Sequence, residues 1–425
     1  MKNTLNFLLE TNKLKEMKRR GWVINRLKDP ETIAEHIFRA SLMGWILGEK
    51  KGGFDIEKLM KIAISHDLCE VYAGDATPYD SVLPNNNRDL EELMKTWPRF
   101  SNEEKKKQQK EKHEKEKSSL ESLTESLSPS LKNEIREYWM DYERKITPEG
   151  RFFNQADRME NFLQAYEYWE KYKKPPLDPW WIWAREFFDD PLLLEFMEVL
   201  ELRFHKNEIP DALKESYRII KFFNDICCLK RKPRRGWVIH EIEGSETTAE
   251  HIYHLTLFVW VMGHERKEVN MERALKMSLV HDICEVNGPD FTPYDAASLS
   301  EQKEVTEEEI KSIKPVNARP TETQREKMER IKRKKKEESI ANTISNLEGK
   351  IKEEISELWR EFRDKNTPEG NFVHQCNYAV SFLQAMQYHQ RYDRINKDLW
   401  LKRSKEVVKD SEIRNFIDTV KDNIK

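Results

Sequence analysis

Apolar residues along this 425-residue chain recur mostly at three- and four-residue intervals, the period of helices laid against a core. In ETIAEHIFRASLMGWILGEK (31–50), Ala34, Ile37, Ala40, Ser41, Gly44 and Leu47 fall near one stripe, and Glu31 or Thr32 can open the helix. EKLMKIAISHDLCEVYAG (57–74) carries Leu59, Ile62, Ala63, His66 and Glu70 at the same spacings, so one helix is expected to run to Gly74. LKNEIREYWMDYERK (131–145) and FFNQADRMENFLQAYEYWEKY (152–172) are periodic in the same way. Alternating, strand-like runs are absent, and the expected fold class is all-α.

The pattern is written twice. HDLCEVYAGDATPYD (66–80) and HDICEVNGPDFTPYD (281–295) agree at ten of fifteen positions. At the same offset of 215, RRGWVI (19–24) falls on RRGWVI (234–239) and AEHI (34–37) on AEHI (249–252). Beyond the loops the offset becomes 220: TPEGRFFNQADRMENFLQA (147–165) falls on TPEGNFVHQCNYAVSFLQA (367–385), and Trp180 on Trp400. Register held over such a length marks a duplicated domain rather than a solenoid unit. The copies are expected at 1–209 and 210–425, joined near Asn207–Pro210.

Composition narrows the setting. Charged residues make up 36% of the chain, yet the formal net charge is only -3, so no overall field draws it to nucleic acid or membranes. Two charged stretches, NEEKKKQQKEKHEKEK (102–117) and the more basic REKMERIKRKKKEE (325–338), read as solvated helices. The second could touch phosphate backbones, but acids interleave and no aromatic platform accompanies it, so a nucleic-acid partner is not the expectation. No apolar stretch is long enough to span a bilayer, and MKNTLNFLLETNKLKEMKRR lacks the apolar core of a signal peptide. Five cysteines without a C-x-x-C pair suggest reduced thiols and a cytoplasmic setting. Cys69 and Cys284, at matching places, read as small core residues.

Four side chains of the first copy suggest chemistry. His66 and Asp67, adjacent on the expected helix, could embrace an ion from one side, with His36 and Asp157 arriving from two other helices. Two imidazoles and two carboxylates suit Mn, Fe, Co, Ni or Zn better than Mg or Ca. Open positions would take water and a substrate oxygen.

The set RRGW…AEH…HDLCEV…GDATPYD…ADRMENFLQA resembles the HD superfamily of metal-dependent phosphohydrolases, and more narrowly its 5′-deoxynucleotidase branch. The resemblance covers nearly all of each copy. It implies one divalent metal on His36, His66, Asp67 and Asp157, with Glu70 activating or positioning the attacking water. Glu70 lies three residues from Asp67 and four from His66, which on a continuous helix is the same face. The resemblance further implies that Arg19, with Arg20 as the alternative, contacts the 5′-phosphate, that Trp22 excludes a ribose 2′-OH, and that Asp75, beside Thr77 in the GD-x-x-P loop, contacts the sugar 3′-OH. Trp22 can equally be a core anchor and Asp75 a cap. The expected reaction releases inorganic phosphate from deoxynucleoside 5′-monophosphates.

The second copy keeps His251, His281, Asp282, Glu285, Arg234, Trp237 and Asp290, but Asp157 falls on Asn377. Asn brings no charge to offset a divalent ion, so this site is expected to be weak or empty of metal. His254 and His374 are nearby in sequence as substitutes. Arg158 and Glu160 also change, to Tyr378 and Val380. Because enzymes of this family commonly act as dimers, the resemblance implies an internal pseudo-dimer, either monomeric or further assembled. Three alternatives accompany the leading reading. One is a nucleoside triphosphohydrolase, and another is a nucleotide-sensing or nucleic-acid-associated regulator with little turnover. The last, a diiron oxygenase, would need more histidines than His113 between the HD pair and Asp157.

Overall fold

A computed structural model describes residues 1–77, 79–84, 93, 100–205, 208–300 and 320–424. Among these residues the chain is helical without strands, as the periodicity predicts. The extended pairings are isolated bridges, Lys18 with Thr32 and Pro233 with Thr247. Internal packing divides the chain into Met1–Met197 and Glu198–Lys425.

The first unit runs α1 (Lys2–Asn12), α2 (Arg20–Ile24), α3 (Ile33–Lys51), α4 (Ile56–Ser65), α5 (Glu70–Ala73), α6 (Asn102–Thr124), α7 (Pro129–Arg144), α8 (Pro148–Tyr172), α9 (Asp178–Phe187) and the start of α10 (Pro191–His205). Capping chemistry sets the starts. Thr32 and Glu35 form a reciprocal capping box on α3, Asp55 caps α4, and Ser128 and Thr147 cap α7 and α8, each followed by Pro at the first helical position. The middle of this unit is α3, packed on α4 and α8, with α7 completing the bundle. Every residue of α3 from Ile33 to Gly48 is buried. The helix is therefore enclosed rather than striped, and its polar members, His36 and Arg39, point into protein.

The second unit repeats this plan with α11 (Lys214–Ile226), α12 (Arg235–Ile239), α13 (Thr248–Gly263), α14 (Met271–Val280), α15 (Glu322–Thr343), α16 (Gly349–Asp364), α17 (Pro368–Tyr392), α18 (Lys397–Val407) and α19 (Ser411–Asn423). Repetition extends to backbone detail. Left-handed residues occur at Arg26 and Glu241, at Lys145 and Lys365, and at Lys173 and Asp393. Gly150 and Gly370 each start a long helix where a Cβ would meet a backbone oxygen, of Asp141 or Glu361, at 2.5 Å, so only glycine fits there.

Two findings differ from the periodicity. Internal packing divides the chain within α10, between Met197 and Glu198, while Asn207 of the joint expected near Asn207–Pro210 lies outside the described residues. And the expected single helix 57–74 breaks at the HD pair. Ala63 O, which would accept the amide of residue 67 in an unbroken helix, instead lies 2.6 Å from His66 Nδ1. Tighter Leu68-to-Ser65 and Glu70-to-Asp67 bonds follow. A side chain that bonds a helical carbonyl competes with the backbone amide for it. His281 Nδ1 does the same with Ser278 O at 2.8 Å.

Candidate metal and phosphate site

In the first unit, α3, the turn after α4, and α8 bring His36, His66 and Asp157 together, with ligand atoms all within 4.8 Å of one another. His36 Nε2 lies 3.0 Å from Asp157 Oδ1 and 3.3 Å from His66 Nε2. Asp67 Oδ2 stands 3.3 Å from His66 Nε2 and 3.7 Å from His36 Nε2. Ligands at about 2.1 Å from a common ion sit roughly 3.0–3.4 Å from their neighbours; the two shorter His36 contacts match that spacing, His66 and Asp157 are 3.8 Å apart, and Asp67 borders the two imidazoles without joining the group that includes Asp157. Glu70 opens a new turn, α5, since the break at His66 removes the shared helix face that spacing alone suggested.

Hydrogen bonds leave the right atoms available. His66 Nδ1–H is held by Ala63 O, and His36 Nδ1 faces Glu160 Oε2 at 2.5 Å, so both Nε2 atoms turn to the cluster. Tyr142 Oη–H donates to Asp157 Oδ2 at 2.7 Å, leaving Oδ1 inward. Glu160 is anchored in turn by Arg39 Nε at 2.7 Å, and both side chains are fully buried. A carboxylate behind a ligating imidazole fixes its tautomer and raises its basicity. Burial and Arg19 oppose a charge on His36, but Glu160 and Asp157 outweigh them and push its pKa up to about 9. Burial alone would raise Asp67 and Asp157, yet His66 and Arg19 hold Asp67, and His36 and Arg158 hold Asp157, below the usual carboxylate range. The donor set suits a borderline transition ion.

Glu70 is buried at 3% exposure. Its Oε2 has no hydrogen-bond partner. Burial, Asp67 and Asp75 push its pKa well up, against Arg19 and Lys112. Arg19 Nη1 donates to Asp67 Oδ2 at 2.9 Å and Nη2 to Asn161 Oδ1 at 2.8 Å, so its guanidinium borders the cluster. Arg20 turns outward, its Nε donating to Asp80 Oδ1 at 3.0 Å. Asp75 Oδ2 accepts the Arg20 amide at 2.6 Å at the start of α2 and lies 3.9 Å from Arg19 Nε. Thr77 donates its amide to Asp80, at 2.7 Å. Trp22 stacks on Trp180 at 5.6 Å and donates to Glu31 Oε1 at 2.9 Å, a packed indole with 3% exposure. His113 stands apart, its Nδ1 2.9 Å from Glu143 Oε2.

The second unit gathers His251, His281 and Asp282 within the same 4.8 Å. Its surroundings differ. Val380 replaces Glu160, and Arg234 Nη1 donates to His251 Nδ1 at 2.9 Å. A guanidinium cannot accept, so the His251 proton sits on Nε2 and points to Asn377 Oδ1 at 2.8 Å. The nitrogen that faces the cluster is occupied. Glu285 Oε2 accepts Thr248 Oγ1–H at 3.0 Å, where the first unit has Ile33. Lys336 Nζ approaches Asp282 Oδ1 to 3.7 Å. His374 packs between Phe362 and Tyr378, and burial pushes it down to about 4. His254 takes the place of Arg39. Neither histidine joins the ligand group among the described residues.

Glu160, Arg39, Tyr142 and Lys336 are absent from the motif reading. The paired loss of Asp157 and Glu160 in the second copy was the visible signal for one of them.

A family profile described as HD domain matches residues 11–179 and 227–418. The chain is similar to 5′-deoxynucleotidase HDDC2 of Xenopus laevis, 29% identical over 174 residues, covering 41% of this chain and 73% of the relative. The Danio rerio protein of the same name is 29% identical over 50% of this chain and 86% of its own length. The Dictyostelium discoideum one is 32% identical over 40% and 78%. Each relative spans about the length of one copy. A solved structure of a conserved hypothetical protein from Pyrococcus furiosus covers 46% of this chain and 97% of its own at 26% identity, with a TM-score of 0.33.

Proposed function

The chain belongs to the HD-domain family in both halves, and from that premise we propose that it is a metal-dependent nucleotide phosphohydrolase that releases phosphate from deoxynucleoside 5′-monophosphates, with catalysis in the first copy. Relatives named 5′-deoxynucleotidase support the substrate class. The observation that carries the assignment to the first copy is Glu70, a buried carboxylate with an unpartnered oxygen that interacts electrostatically with Asp67 and Arg19.

His36, His66, Asp67 and Asp157 would hold the ion. When bound it would make water acidic and polarise a phosphoryl oxygen. The protein's own residues do the rest. Glu70 orients the water and takes its proton as the oxygen bonds to phosphorus. Arg19 offsets charge on the equatorial oxygens. Asp75 holds the start of α2, and so Arg19, in position. The P–O5′ bond breaks to give a deoxynucleoside and inorganic phosphate.

The test is phosphate release from dAMP and dATP, side by side, across Mn, Co, Fe, Ni and Zn. Free phosphate and deoxyadenosine from dAMP alone are expected. Triphosphate released from dATP would move the reaction to the triphosphohydrolase class. No turnover with any ion would overturn the reading.

A further inference from the structure

Lys336 lies at the position of Glu116. The two helices are in matched register, because Ser119 Oγ and Ser339 Oγ, each three residues further on, donate to the backbone oxygens of Cys69 and Cys284. In the first copy Glu116 pairs with Lys112 at 3.4 Å. In the second, Lys336 sends its ammonium to Asp282. Burial works against that charge, and the ionised Asp282 favours it.

Lys336 belongs to a set of exchanges that changes the charge of the pocket. Asp157 to Asn377 and Glu160 to Val380 each remove one negative charge, and Glu116 to Lys336 exchanges a negative for a positive. Arg39 to His254 and Arg158 to Tyr378 each remove a positive. Glu167, the partner of Arg39, also becomes Gln387, so these exchanges together make the second copy more positive than the first.

We propose that the second copy is a metal-independent binding site for a phosphate monoester, in which the Lys336 ammonium and the Arg234 guanidinium supply the positive charge. Neither side chain is wholly enclosed: that of Lys336 is 29% exposed and that of Arg234 19%. His281 Nε2 is buried 3.1 Å from Asp282 Oδ2. The ligand is bound and not hydrolysed, because Glu285, at the position of Glu70, is engaged by the Thr248 hydroxyl. The nucleotide nature of the monoester rests on the function proposed above; the metal-free phosphate site does not.

Calorimetric titration of the full-length chain with dAMP in excess EDTA tests this, with inorganic phosphate as a competing probe. One equivalent of dAMP is expected to bind. Lys336→Met should weaken it at least about tenfold, and Lys336→Arg should preserve it. Arg19→Ala, which alters only the first copy, should leave EDTA-resistant binding intact. Absence of binding to the wild-type chain in EDTA overturns the proposal without recourse to any variant. So does loss of binding in Arg19→Ala, or unchanged affinity in a folded Lys336→Met. Turnover is assayed separately with metal. Its failure alongside EDTA-resistant binding would sink the hydrolase reading and leave this site standing.

Discussion

His36 and His251 occupy matching places in the two halves of one chain and face opposite chemistry. Behind His36 lies a carboxylate, Glu160, which can hold the Nδ1 proton so that Nε2 is free to exchange its own for an ion. Behind His251 lies a guanidinium, Arg234, so the imidazole turns a proton to the cluster. The histidine, its helix and its capping box are the same. The difference teaches that a ligand set is defined by what stands behind it as much as by the ligands. The glutamates tell the same story, Glu70 unpartnered and Glu285 engaged.

The largest expected effect comes from writing the second copy's amide into the first. Asp157→Asn should abolish both metal binding and phosphate release, read by metal analysis and a phosphate assay. Survival of either would break the comparison. Glu70→Gln should lower kcat about 10²–10⁴-fold while metal content stays at the wild-type level, which separates the base from the ligands. Glu160→Gln removes the carboxylate behind His36, and metal affinity should fall about 10–100-fold, measured by competition with a chromophoric chelator. Unchanged affinity would show that the tautomer argument carries no weight.

The smallest effect concerns Glu116. Burial pushes its carboxyl up to about 7 against the pull of Lys112, with repulsion from Glu143 and Asp67 adding to it. The folded state therefore holds this proton more tightly than the unfolded chain. Stability falls as pH rises from the unfolded carboxyl's ordinary range through about 7, and the loss is complete above that. Glu116→Gln cannot ionise, so in the metal-free chain it should be more stable than wild type at pH 8, by about 1–3 kcal/mol. The difference should vanish at pH 4. Denaturant midpoints at the two pH values decide it.

Much of this was legible in the sequence. Helical periodicity gave the class, the ten matches in fifteen gave the duplication, and the motif set included the two histidines and the Asp157 that converge. The helix break at His66 was not legible, because the bond from His66 Nδ1 to Ala63 O leaves the apolar spacing unchanged. Nor was Arg39. It sits on an all-buried helix where a stripe was expected, and its partner Glu160 is 121 residues away. Lys336 hid within a run of like charges whose composition reads as solvated. Only the packing of its helix against the turn after His281 selects it from its neighbours.

Metal content per chain, measured on purified protein after dialysis against each candidate ion, tests the asymmetry of the copies most directly. We predict one equivalent in the wild type and none in Asp157→Asn. Two equivalents in the wild type, or one retained in the variant, would contradict it.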